Sequence, residues 1–182
     1  NRSALVSQTI TVQDTTPPVL AGVPTNVVVA IDAIPVAPTV TATDACDAAP
    51  VVTLVQTSTQ DPNPALVGHY HYSITRTWTA TDACGHQSSA SQVITVQDVV
   101  APEIGAAGAD AILECPAVPE FTAPTATDNS GVVTVVEVSD VTTPGLCAGS
   151  YVRTKTWQAV DVCTNRSALV SQTITVQDTT PP

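Results

Sequence analysis

Residues 1–18 read NRSALVSQTITVQDTTPP, and residues 165–182 read the same, letter for letter. An identity of 18 residues at a spacing of 164 is the mark of a tandem array. A shorter interval lies inside it. The string VQD closes at Asp14, Asp98 and Asp178, which are 84 and then 80 residues apart. The chain thus reads as one period plus an overlap, each period holding two modules of about 80 residues, a size that folds independently. Near-identical repeats suit length, reach and multivalency rather than a unique catalytic site.

Residues 1–14 read as the closing strand of a preceding module, 15–98 as module one, 99–178 as module two and 179–182 as the start of the next. Within module one the strand-like runs are 27–31, 39–43, 51–59, 70–80 and 89–97. In module two they are 111–114, 122–126, 132–138, 151–160 and 167–177. The runs are rich in β-branched Val and Thr, and helical periodicity of useful length is absent. Short strands punctuated by Pro, Gly and Asp read as an all-β fold, a tandem pair of immunoglobulin-like β-sandwiches. Prolines 17, 18, 102, 181 and 182 fall at module junctions, where a missing N–H donor harms no ladder and stiffens the link.

In 70–80 the residues Tyr72, Ile74, Arg76, Trp78 and Ala80 share one face, while Thr75, Thr77 and Thr79 share the other as outward β-formers. A cation two residues from a tryptophan, as at Arg76, or at Arg153 and Lys155 beside Trp157, is expected at a solvated sandwich edge or over the indole ring.

The five cysteines are read by aligning the chain with itself. TATDAC occurs at 41–46 and at 79–84, each copy ending a strand, so Cys46 pairs with Cys84. Module two has TATDNS at 125–130 and QAVDVC at 158–163. Ser130 therefore stands where Cys46 stands, and Cys163 is left as a free thiol. Cys115 and Cys147 align with Ile31 and Val67, which predicts a Cys115–Cys147 bridge where module one has a buried apolar pair. Disulfides imply an oxidising compartment, and each would stabilise by about 3–4 kcal/mol in the loop-entropy model. Zinc is not indicated: no CxxC occurs, and His69, His71 and His86 lack metal spacing.

A net charge of −11 from 16 acidic and 5 basic residues disfavours nucleic acid and anionic membrane as partners. No apolar run approaches the length of a membrane span. Nucleophile-elbow, Cys–His and paired-acid patterns are absent, so an enzyme is not expected.

The pattern TPPxL…TATDACD…TRTWTATDACG…SQxITVQD resembles hyalin-repeat (HYR-like) modules, such as the tandem repeats of giant Bacteroidota cell-surface adhesins, including those of gliding motility. The resemblance spans both modules and implies an immunoglobulin-like sandwich, export and a place in adhesion or surface filaments. The family commonly has four cysteines per module, at positions matching Ile31, Cys46, Val67 and Cys84; the chain departs from this at Ile31, Val67 and Ser130.

These readings predict an extracellular, cell-surface stalk or filament whose partners are neighbouring modules joined head to tail. The competing class is a binding module that recognises a surface glycan or another copy of the chain. No cofactor is required by either. Asp14, Asp98 and Asp178 at the junctions, with Asp44 and Asp82 beside the expected bridge, are hard oxygen donors of the kind calcium takes. The plainer reading is that each Asp caps a turn with its own backbone, and no calcium requirement for folding is expected. Asn165-Arg166-Ser167, repeated at Asn1, fits an N-glycosylation sequon. Asp14-Thr15-Thr16 and Asp178-Thr179-Thr180 resemble the Asp-Thr O-glycosylation motif of Bacteroidota.

Overall fold

The computed structural model describes residues 3–180, so the Asn1 sequon and Pro181 and Pro182 lie outside the described residues. The described chain is all-β, with no α-helix and one 3-10 turn at Val67–His69. Contacts divide it into two compact units. One comprises Asn1–Val29, Ile34–Ser58 and Ser73–Thr95, and the other Ala30–Ala33, Thr59–Tyr72 and Val96–Pro182.

Six strands come from residues 15–98: β1 (Val19–Ala21), β2 (Val27–Ala30), β3 (Thr41–Thr43), β4 (Val51–Ser58), β5 (Tyr72–Thr81) and β6 (Gln87–Gln97). They form a two-stranded sheet, β1-β3, and a four-stranded sheet in the order β2-β6-β5-β4. Six more come from 99–178: β7 (Glu103–Ile104), β8 (Ala111–Glu114), β9 (Ala126–Thr127), β10 (Val133–Pro144), β11 (Tyr151–Asp161) and β12 (Val170–Gln177). Their sheets are β7-β9 and β10-β11-β12-β8. The repeated plan of a short and a long sheet is that of a β-sandwich. β1 and β7 were not expected; strands of three and two residues are too short to show a period. The run expected at 122–126 begins four residues late, because the Thr122 N–H is taken by the side chain of Gln172 at 3.0 Å.

Strict alternation builds both cores. β5 buries Tyr72, Ile74, Arg76, Trp78 and Ala80, while its threonines face outward. Thr77 and Thr79 meet Ser91 and Ser89 across the strands at 2.9 and 3.2 Å. β12 likewise buries Gln172, Ile174 and Val176 between β11, antiparallel, and β8, parallel.

Each long sheet also uses a buried glutamine as a clamp. Gln92 Nε2 donates to the Thr25 carbonyl at 2.9 Å, and its counterpart Gln172 donates to Ala109 at 2.8 Å. Beside them Asn26 and Asp110 accept from the backbone of Val93 and Thr173. These clamps tie β6 and β12 to the residues just before their sheet neighbours β2 and β8. They satisfy backbone groups that the ladders leave open.

Three expectations about side chains are corrected. Arg76 is no edge residue: it is 5% exposed, donating through Nε to Gln56 at 2.9 Å and through Nη2 to the Pro35 carbonyl at 2.7 Å. Arg153 and Lys155 lie over Phe121, each 5.6 Å from its centroid, rather than over Trp157, and both pair with Asp140. Val67 is 42% exposed, because it opens the 3-10 turn, and Ile31 is only half-buried. The buried apolar pair expected there is not formed.

Candidate functional site

The aspartates gather in two places that correspond by sequence. In the first unit, Asp14, Asp82 and Cys84 bring one ligand atom each within 4.8 Å of one another. In the second unit, Asp98, Asp128 and Asp161 do the same. Asp14 and Asp98 each close a VQD string. Asp82 follows β5 directly and Asp161 ends β11, and Asp44 and Asp128 hold the same place in TATDAC and TATDNS.

In the first cluster every carboxylate is occupied locally. Asp14 Oδ1 accepts from the N–H and hydroxyl of Thr16, both at 3.0 Å. Asp44 Oδ1 accepts from the N–H groups of Asp47 and Cys46, and these bonds hold its carboxyl below the ordinary range. Asp82 is buried, which raises its pKa, but the His86 N–H and ring and the Cys84 N–H outweigh burial, and the net shift is downward. Cys46 and Cys84 lie in this field. The charge of Asp14 raises the Cys46 thiol, and burial followed by Asp14 raises that of Cys84.

The second cluster differs in kind. Asp98 is 1% exposed and Asp161 6%. Asp161 is satisfied by Asn165, through its N–H and its Nδ2, each at 2.8 Å. Asn165 replaces His86, so this position loses an ionisable partner. Asp98 Oδ1 accepts from the Val100 N–H at 3.1 Å and Asp128 Oδ2 caps the turn at Ser130, but Asp128 Oδ1 and Asp98 Oδ2 are buried with no hydrogen-bond partner. The ion pairs among the described residues lie elsewhere, at Asp82, Glu137 and Asp140. Tyr70 donates its hydroxyl to the Ser130 carbonyl at 3.0 Å, and His71 Nε2 lies 3.0 Å from the Asp98 carbonyl. Burial, with Cys163, Asp98 and Asp128 adding to it, raises the Tyr70 hydroxyl. The half-buried Cys163 thiol is pushed up to about 11 by burial and by the three carboxylates.

The sequence named Asp14, Asp44, Asp82, Asp98 and Asp178 as oxygen donors. Asp14 meets Asp82, with Asp44 in the same field. Asp98 instead joins Asp128 and Asp161, which were not named, although the alignment of TATDNS and QAVDVC with the two TATDAC copies marks both. Asp178 stands apart, exposed, capping Thr180. His86 holds the Asp82 carboxylate at 2.9 Å, and the exposed His71 reaches the Asp98 backbone carbonyl. Asn165 commits its side-chain amide to Asp161 and Asp98, so the sequon nitrogen is engaged.

All five cysteines are unbridged, where the sequence expected two disulfides. The Cys115 thiol donates to the Gly149 carbonyl at 3.3 Å, at the turn that carries Cys147.

No family model matches the chain, and no curated protein matches it. Among solved structures it is similar to human protocadherin-24 EC1-2, at 16% identity and TM-score 0.34, covering 86% of this chain and 95% of that one. A mouse clustered protocadherin, PcdhgC3 EC1-3, is 13% identical with TM-score 0.35, covering 89% and 68%. The protocadherin gamma B4 extracellular domain is 14% identical with TM-score 0.33, covering 89% of this chain and 34% of that one.

Proposed function

We propose that the chain is a structural segment of an extracellular, cell-surface adhesin, and that its modules repeat head to tail to form a stalk or filament. One observation carries this reading. The string VSQTITVQ at 170–177 is β12, a core strand between β8 and β11, and the same string at 6–13 has no ladder and exposed apolar residues. A strand with unburied alternating side chains and open backbone groups needs a sheet of the same kind. Residues 1–14 are then the closing strand of one module and 15–98 the body of the next. Such connections are heterologous and open, so the assembly grows as a line.

Acidic composition and alternating Thr rows keep such an array soluble, and oxidation of Cys46 with Cys84 and of Cys115 with Cys147 would lock its modules outside the cell. Small-angle scattering from chains carrying one, two and three 164-residue periods tests the reading. The maximum dimension rises by an equal increment per period; a dimension that levels off would reject a stalk.

One observation favours a second reading, lateral association with another copy. β4 is an edge strand and leaves Val51, Leu54 and Val55 exposed at 63, 42 and 62%. Concentration-dependent mass in sedimentation, abolished by V55K, would support it over the plain spacer.

A further inference from the structure

We propose that Asp98, Asp128 and Asp161 form a calcium site that fastens the segment after β6 to the body of the second unit. Three facts meet here. A carboxylate oxygen from each residue lies within 4.8 Å of the others. Two oxygens bound to one calcium ion at about 2.4 Å stand no more than about 4.8 Å apart, so the cluster already has the spacing of a shared ion. Asp98 is 99% removed from solvent by its 1% exposure, and its Oδ2 is unpartnered, as is Oδ1 of Asp128. An orphaned carboxylate oxygen in the interior is costly, and a cation removes that cost.

The corresponding cluster of the first unit is a built-in control. There Asp82 faces His86 at 2.9 Å, and Asp14 and Asp44 cap their own turns, as Asp98 and Asp128 also do with one oxygen each. In the second unit the His86 position is Asn165, a neutral donor that satisfies Asp161, and none of the three carboxylates has an ion pair among the described residues. Hard, all-oxygen donors in irregular geometry suit calcium better than magnesium, which demands a near-regular octahedron. The three aspartates come from the residue after β6, the turn after β9 and the end of β11. An ion held by all three ties the segment at Asp98 to two other elements of the same compact unit. The site stands whether or not the array reading does, because its ligands belong to one compact unit.

The test is calorimetric titration of the chelator-stripped full chain with calcium chloride, paired with thermal melts. One ion is expected to bind, raising the melting temperature by about 5 °C at saturating calcium. D98N and D128N should each weaken binding by roughly tenfold or more, while D178N leaves it unchanged. If D98N fails to fold by circular dichroism, D128N decides, since Asp128 is only half-buried. Absence of binding heat and of any melting shift at millimolar calcium would overturn the site. So would D128N titrating like the parent chain.

Discussion

Ile10 and Ile174 sit at the same place in the same string, VSQTITVQ, yet Ile10 is 76% exposed and Ile174 is 2% exposed. Val12 and Val176 repeat the contrast at 90 and 1%. Identical local sequence with opposite burial means that the neighbours β8 and β11, not propensity, bury this strand. I174A is therefore expected to lower unfolding free energy by about 2–4 kcal/mol, and I10A by less than about 0.5 kcal/mol. Denaturant melts of the two variants check this; equal losses would contradict it.

Arg76 is buried with Nη1 unpartnered, and its hydrogen bonds go to Gln56 and the Pro35 carbonyl rather than to a carboxylate. A buried charge of this kind often contributes less than an apolar side chain of similar volume. R76M is expected to be as stable as the parent chain or more so. A loss above about 2 kcal/mol in the same melts would show that the guanidinium bonds outweigh its desolvation.

Acid sensitivity should concentrate at Asp140. Arg153 donates to it at 2.8 and 2.6 Å and, with Lys155, holds its pKa near about 2 against an ordinary 3.8. A folded-state pKa below the unfolded one gives stability that is present above pH 4 and lost as pH falls through about 2. Melting temperature followed from pH 5 to pH 2 should fall less steeply in D140N than in the parent chain.

Thiol chemistry should separate the cysteines. Cys46 and Cys84 are exposed, whereas Cys163 is half-buried with its thiol at about 11. Iodoacetamide labelling of the reduced chain at pH 8, read by mass spectrometry, should modify Cys163 last. After air oxidation, unreduced peptide maps should give Cys46–Cys84 and Cys115–Cys147. A bridge from Cys163 to Cys46 or Cys147 would refute the pairing scheme.

Much of the architecture is legible in sequence because it repeats. The VQD strings mark the ends of β6 and β12, and the alternation Tyr72–Ala80 marks the buried face of β5. The alignment that makes Ser130 the counterpart of Cys46 also makes Asp128 the counterpart of Asp44. The burial of Arg76 was not legible, because its partners are 20 and 41 residues away and one is a backbone carbonyl. Val67 was misplaced for a local reason: its 3-10 turn points it outward, where cysteine alignment alone predicts contact.

Force spectroscopy of a reduced chain carrying several 164-residue periods tests the modular array most directly. Two unfolding events per period are predicted, each releasing about 250–280 Å of chain, as expected when about 80 extended residues are freed. One event per period, or irregular steps without a common length, would contradict the account.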